Sequence, residues 1–218
     1  MAVHLQRELE KIKKTILSLG AMVEDRVHRS AKLIQSRDIF DASVIIKEDY
    51  EIDDMEIEIE EECLKILALY QPVAADLRFI VAVIKINNDL ERIADESVNI
   101  AQRVDIIAKN KNFEFVFDYS PMVEKISLML RKSLDALVRL DTDLAYKVCL
   151  MDEEVDKIHR IAYDMIKENM RKKPDYLGSL INYFLISRHL ERIGDHATNI
   201  AEEVIYMTDG DIVRHGKF

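Results

Sequence analysis

Residues 90–101 read LERIADESVNIA, and residues 190–201 read LERIGDHATNIA. Eight of the twelve positions are identical, at an offset of 100. The likeness runs upstream. Met22-Val23-Glu24 matches Met122-Val123-Glu124 at the same offset, and Asp38, Asp49 and Asp53 match Asp141, Asp152 and Asp156 at an offset of 103. A drift of three residues is what short length changes in connecting segments produce. The chain is therefore read as two copies of one unit of about 100 residues, and the reading of one unit decides the fold.

Each unit predicts three helices. They cover roughly 3–35, 38–70 and 73–108 in the first copy, and roughly 120–138, 141–171 and 175–207 in the second. Ile52, Met55, Ile59, Cys63, Ile66 and Tyr70 are spaced 3, 4, 4, 3 and 4 residues apart, the seam of an amphipathic helix packed at a shallow angle. The apolar stripes, with their Met and Tyr members, read as core. The expected architecture is all-α, two tandem three-helix bundles related by internal duplication. The first bundle is expected over residues 1–109 and the second over 119–208. A linker at 110–118, Asn-Lys-Asn-Phe-Glu-Phe-Val-Phe-Asp, breaks the helical period, and 209–218 is expected to be a frayed tail.

Composition agrees. The 218 residues include five glycines and three prolines, where ordinary usage puts these two at about 12%. An all-β fold would need a turn every ~8–12 residues, so it is excluded. No GxGxxG or GxxxxGK occurs, so a glycine-rich phosphate loop is excluded too. Pro72 and Pro174 fall between the second and third helices of each unit, and Pro121 falls where the second unit starts. These are positions where proline is tolerated. The formal net charge is −10, which argues against nucleic acid as a partner. Cys63 and Cys149 belong to no CxxC and read as buried reduced thiols of a cytoplasmic protein. Met1–Leu17 has no apolar h-region. The apolar stretch Phe79–Ile86 contains Lys85 and is far shorter than the ~20 residues of a membrane span. Any membrane contact is expected to come through a partner.

Four carboxylate pairs at i,i+4 carry the chemistry: Asp49/Asp53, Glu91/Asp95, Asp152/Asp156 and Glu191/Asp195. That spacing puts both members on one helix face, one turn apart. Antiparallel packing of second on third helices would bring Asp49/Asp53 opposite Glu91/Asp95, and Asp152/Asp156 opposite Glu191/Asp195. Like charges at i,i+4 destabilise a helix by roughly 0.2–0.5 kcal/mol per pair. Four converging carboxylates would cost more unless a multivalent cation neutralised them. An all-oxygen set suits Mg²⁺, Ca²⁺ or Mn²⁺, and is hard enough for ferric ions.

The competing reading is a solvated acidic face. Glu48–Glu62 alone holds ten acids in fifteen residues, and Arg92 and Arg192 stand beside the third-helix pairs. Against it, all four pairs keep register in a duplication that has otherwise diverged. His159 and His196 are further candidate ligands, although neither has a histidine counterpart in the first unit. His189 is a candidate for phosphotransfer. General acid–base catalysis would need a substrate pocket that no motif suggests, and no catalytic residue is assigned. Gly194, between Glu191 and Asp195, would let a neighbouring helix or an ion approach.

The duplicated signature, preceded by Pro72-Val-Ala-Ala-Asp-Leu-Arg78, closely resembles the PhoU family of phosphate-signalling proteins over nearly the whole chain. The resemblance implies a non-enzymatic cytoplasmic adaptor and negative regulator of phosphate uptake and of the phosphate regulon. It would link a phosphate ABC transporter, through its ATPase, to a sensor histidine kinase, and assemble as a homodimer. It implies that Asp49, Asp53, Glu91 and Asp95 hold one iron or zinc cluster, and that Asp152, Asp156, Glu191 and Asp195 hold another. The alternative is a carboxylate-bridged metal-storage protein or metalloenzyme. The second unit departs from the pattern at Lys173-Pro174-Asp-Tyr-Leu-Gly178, where Gly178 replaces the arginine, so the two halves are unequal.

Overall fold

The structure is a computed structural model and describes residues 2–110, 112–114 and 117–213. Among these, seven α-helices and one short 3-10 turn form the fold, with no strand. The helices are α1 (Ala2–Ser36), α2 (Ile39–Lys47), α3 (Tyr50–Tyr70), α4 (Ala74–Ala108), α5 (Ser120–Arg139), α6 (Thr142–Lys172) and α7 (Leu177–Asp209); the turn is Pro174–Tyr176. In the first copy α1, α2, α3 and α4 pack together, in the second α5, α6 and α7. The two third helices, α4 and α7, lie against each other and weld both copies into one hydrophobic cluster.

The local chemistry of the corner between first and second helices is duplicated. Asp38 caps α2 by accepting from the Phe40 and Asp41 amides at 2.9 and 3.2 Å. Asp141 caps α6 by accepting from the Leu144 amide at 2.9 Å. An aspartate oxygen at this position satisfies amides that have no carbonyl partner in the first turn. With so few glycines, three corners use side-chain-bearing residues in the left-handed region: Arg37, Gln71 and Leu140, with φ of 53°, 47° and 53°. Gly20, by contrast, marks a close crossing of α1 and α5. A Cβ there would lie 2.8 Å from Leu134 Cδ2.

The predicted second helix of the first unit is not continuous. It is split into α2 and α3 at Glu48–Asp49. The cause lies on α1. Arg26, only 4% exposed, donates from Nη1 to the Ile45 carbonyl at 3.0 Å and from Nη2 to the Glu48 carbonyl at 3.1 Å. A guanidinium thus takes the carbonyls that a continuing helix would have bonded. In the second copy the equivalent position, at the offset of 100, is the buried Ile126, and α6 runs unbroken.

The segment between the copies is anchored by aromatic packing. Phe113 is buried 5.9 Å from the Tyr183 ring, and Tyr119 is buried 4.8 Å from the same ring. Tyr119 Oη donates to the Tyr183 carbonyl at 2.8 Å, Tyr183 Oη donates to the Phe117 carbonyl, and Arg37 Nη1 donates to the Phe113 carbonyl at 2.8 Å. At the other end, Gly210 closes α7 with φ 81° and Val213 packs on the core. Of the expected tail, 214–218 lie outside the described residues. Arg78 lies by this end of α7, its Cζ 3.9 Å from where a Gly210 Cβ would be, a favourable place for a cation at a helix C-terminus. Around Gly178 there is open space. Among the described residues, no helix is long and apolar enough to cross a membrane.

Candidate functional site

Both expected carboxylate sets are gathered where a second helix meets a third. In the first set Asp49 stands at the N-terminal cap of α3 and Asp53 in its first turn, facing Glu91 and Asp95 on α4. Burial, then the negative charges of Asp53 and Asp95, push the Asp49 carboxyl up from its ordinary range, against the pull of Arg26. Burial and Asp95 likewise raise Glu91. Burial raises Asp95, while Arg92 and Arg192 pull it back. The arginines are close: Arg26 Nη1 is 3.8 Å from Asp49 Oδ1, and Arg92 is 3.5 Å from Glu91 and 3.6 Å from Asp95.

The second set is built the same way with fewer cations. Asp152 is raised by burial and by Asp156. Asp195 is raised from 3.8 to about 6 by burial and by Glu191, Asp152 and Asp156, with only His196 opposing. Arg160, 3.6 Å from Asp156, is the neighbouring ion pair. Gly194 lies against this set; a Cβ there would be 3.7 Å from Asp152 Oδ1 and 3.5 Å from Val155. That is ordinary van der Waals contact, so the space does not demand glycine.

These sites suit a hard cation chemically. They are all-oxygen and, Asp53 apart, partly buried, and burial together with neighbouring acids raises the proton affinity of Asp49, Glu91, Asp95, Asp152 and Asp195. Asp49 Oδ1 and Glu91 Oε2 are buried without a hydrogen-bond partner among the described residues, their arginine neighbours standing off at 3.8 and 3.5 Å, and a buried oxygen without a hydrogen bond is costly. As the side chains stand, no three His, Cys, Asp or Glu groups among the described residues are gathered closely enough to grip one ion. Binding would have to draw them together by side-chain rotation.

The three candidate histidines, His159, His189 and His196, each meet a polar group of another helix. His159 Nδ1 lies 2.7 Å from Ser187 Oγ, and His196 Nδ1 lies 2.8 Å from Asp89 Oδ1. His189 is buried, with Nδ1 2.6 Å from Glu96 Oε2, and so is not the exposed imidazole that phosphotransfer requires. His189 and His196, with Arg192, 2.8 Å from Glu96 Oε1, and Lys85, 3.0 Å from Glu203, form a polar seam between α4 and α7; His159 instead joins α6 to α7. Sequence reasoning missed this seam. Its signal is the offset of 100 itself: positions 89 and 96 are acidic in the first copy, and positions 189 and 196 are histidine in the second. Each acid meets the other copy's histidine across a pseudo-twofold axis. Beside the seam is a polar cleft of about 620 Å³ lined by Glu56, Glu60, Asn88, Asp89, Asn199 and Glu202 among others. Cys63 and Cys149 are buried free thiols, each pushed up to about 12 by burial.

Fold and site define a duplicated helical scaffold with two matching acidic sets. Its two copies match the PhoU domain, over residues 16–104 and 120–204, and the chain belongs to that family. It is 34% identical over 206 residues to a phosphate-specific transport system accessory protein PhoU homolog of Clostridium acetobutylicum, covering 94% of both chains. It is 36% identical over 209 residues to a homolog of the same description from Pseudomonas aeruginosa, covering 95% of this chain and 86% of that protein. The crystal structure of PhoU from Pseudomonas aeruginosa superposes with a TM-score of 0.91 at 35% identity, over 94% of this chain and 99% of that one. The PhoU structure from Streptococcus pneumoniae superposes at 0.87 with 28% identity, over 97% and 100%.

Proposed function

We propose that this chain is a cytoplasmic accessory regulator of phosphate uptake, working by protein–protein contact. The observation that carries the reading is near full-length kinship, in both copies, with relatives named as accessory proteins of the phosphate-specific transport system. In this reading the chain binds the ATPase of a phosphate ABC transporter and the cytoplasmic region of a sensor histidine kinase, and restrains phosphate-regulon signalling when phosphate is plentiful. Its role is regulatory and not catalytic. A rigid duplicated scaffold suits such a task, since each half can present its own face. To carry a signal, binding must differ between partner states, because equal affinity shifts no equilibrium. Co-purification with the ATPase and with the kinase region, in high and low phosphate, tests this. Association that changes with phosphate is expected; association with neither partner overturns the reading.

The metal part of the reading is separable. Asp49, Asp53, Glu91 and Asp95 would hold one cluster, and Asp152, Asp156, Glu191 and Asp195 the other, with iron or zinc as the first candidates and Mg, Mn or Ca as rivals. The cation would offset the burial and the neighbouring negative charge that raise Asp49, Glu91, Asp95, Asp152 and Asp195. Element analysis of untagged protein, with Glu91→Gln and Glu191→Gln, is expected to show metal lost from one half at a time. If no metal co-purifies or rebinds, the cluster assignment fails and the adaptor reading stands. Redox-active iron with oxygen or phosphoester turnover would favour the storage or enzyme alternative. Homodimerisation belongs to the same reading, and a sedimentation mass of twice the chain's 25.4 kDa is its check.

A further inference from the structure

Helix α3 has two apolar stripes. The inner one, with Ile52, Ile59, Cys63 and Ile66, is buried in the core. On the opposite side Tyr50, Ile57 and Leu64 stand 59%, 52% and 53% exposed. One exposed leucine on a surface needs no explanation. Three large apolar residues at successive intervals of seven form a line about 21 Å long, the seam that a second helix packs against.

Charge says what kind of helix. Asp54, Glu58 and Glu61 flank the line on one side and Glu60 on the other, all exposed. Among the described residues these four are in no ion pair; along this outer part of α3 the pairs fall on Glu62, with Lys65 at 2.7 Å and Lys11 at 3.6 Å. A second copy of the same face would set acid against acid, and anionic lipid would be repelled. A helix with apolar heptad positions bordered by Lys and Arg would bury the line and neutralise its edges.

The duplication supplies the control. At the offset of 103, the counterparts of Tyr50, Ile57 and Leu64 are Glu153, Arg160 and Lys167. That face of α6 balances its own charges, with Lys157–Glu153 at 3.1 Å and Arg160–Asp156 at 3.6 Å. A solvated helix face looks like this. The outer face of α3 departs from it in both apolar content and unbalanced charge.

We propose that the outer face of α3 is a docking surface for a basic amphipathic helix of a partner protein. This rests on the adaptor reading and supplies one of its contact surfaces. The test uses the full chain and two labelled helical peptides, one of Leu and Lys in heptads and one of Leu and Glu, followed by fluorescence anisotropy. The Leu/Lys peptide is expected to bind and the Leu/Glu peptide not to. Ile57→Ser with Leu64→Ser, which leaves all charges in place, should weaken binding at least tenfold. The same change at Leu150 and Ile161, exposed on α6, should weaken it less than twofold. Glu58→Gln with Glu61→Gln should weaken it several-fold and flatten its salt dependence. All four α3 positions are exposed, so melting curves should be unchanged.

No binding of the Leu/Lys peptide, or equal loss from the α3 and α6 serine pairs, overturns the proposal. So does a dimer that the α3 serine pair dissociates, since a second copy then covers the face. Retention on phosphatidylcholine vesicles that the pair abolishes overturns it as well. If the transporter ATPase and the kinase region both bind the serine pair as they bind the parent, this proposal falls while the adaptor reading stands. If neither binds but the peptide results hold, the adaptor reading falls while the surface stands.

Discussion

The second helix of each copy delivers the same two aspartates, at 49 and 53 and at 152 and 156, by different means. In the first copy the helix breaks at Glu48–Asp49 and buried Arg26 occupies the freed carbonyls, which leaves a cation 3.8 Å from Asp49. In the second copy α6 is continuous, the position of Arg26 is Ile126, and its Cγ2 would lie 3.7 Å from a Gly194 Cβ beside Asp152. One carboxylate set therefore has a fixed positive charge built into its wall and the other an apolar wall. Duplication preserved where the acids sit while the electrostatics around them drifted apart.

The largest effect should come from removing that cation. Arg26→Ala orphans the buried Ile45 carbonyl, worth about 1–3 kcal/mol, leaves the Glu48 carbonyl with only the Glu51 amide at 3.2 Å, and exposes Asp49 to its acidic neighbours without relief. A loss of about 2 kcal/mol is expected, or about 4–8 °C in Tm for a chain of this size. Thermal melts of the metal-free protein check it. Arg26→Met, which keeps most of the volume, should recover little. Equal stability of Arg26→Met and the parent would show that the break does not depend on the guanidinium.

The same contrast fixes the pH dependence. Asp195, raised from 3.8 to about 6, binds its proton more tightly folded than unfolded. Its contribution to stability is therefore fully present below about pH 4 and is lost as pH rises through about 6. Metal-free protein should thus lose stability from this group between pH 4 and 7, the reverse of the usual carboxylate trend. Asp195→Asn removes the penalty. Each tenfold change in proton affinity is worth about 1.4 kcal/mol. Discounted for solvent screening, the variant should gain about 1–2 kcal/mol at pH 7.5 and nothing at pH 4. Asp95→Asn should gain less, because Arg92 and Arg192 already relieve Asp95. Denaturant titrations at the two pH values decide it; equal gains at 95 and 195 would erase the distinction between the sets.

Why the helices and the acids were legible while the break was not follows from range. An i,i+4 pair and a 3–4 seam are local, so Asp49/Asp53 and the Ile52–Tyr70 seam can be read from a short window. The break depends on Arg26, 19 residues from Ile45 and 22 from Glu48, and no Gly or Pro marks it. The seam of Glu96 with His189 and Asp89 with His196 spans about a hundred residues, and only an alignment of the copies exposes it. The linker aromatics break the helical period, which locates the connection at 110–118, yet says nothing of their packing against Tyr183. The outer line of Tyr50, Ile57 and Leu64 is hidden for another reason. It shares a helix with the inner seam, so a reading that assigns apolar residues to the core stops once one seam is found.

Gly194 and Ala94 hold the same position in the two motifs and invite a smaller test. Glycine within a helix costs roughly 0.5–1 kcal/mol relative to alanine, and the Cβ of Gly194→Ala would meet Val155, Asp152 and Ile126 at 3.5–3.7 Å. A gain of about 0.5 kcal/mol is expected, with the second carboxylate set undisturbed. Gly20→Ala should go the other way, because Leu134 would have to move from 2.8 Å. If Gly194→Ala instead abolished metal uptake in that half alone, the missing side chain would be part of the site.

The smallest expected effect lies at the corner between second and third helices. In the first copy Gln71 turns it in the left-handed region, φ 47° and ψ 58°, and its amide bonds the Leu67 carbonyl at 3.3 Å. In the second copy Lys173 turns it with φ −131°, and Pro174 opens the next turn. A left-handed conformation costs a side-chain-bearing residue roughly 1–2 kcal/mol, and glycine avoids that cost. Glycine also loses more backbone freedom on folding, which returns roughly half of the gain. Gln71→Gly should therefore stabilise by about 0.5 kcal/mol, and Lys173→Gly, with no left-handed strain to relieve, should destabilise by about as much. Opposite signs at two corners with the same role would show that the copies reached one turn by two backbone routes, as they did at the aspartates. Equal signs would mean that the left-handed geometry at Gln71 costs nothing that glycine can recover.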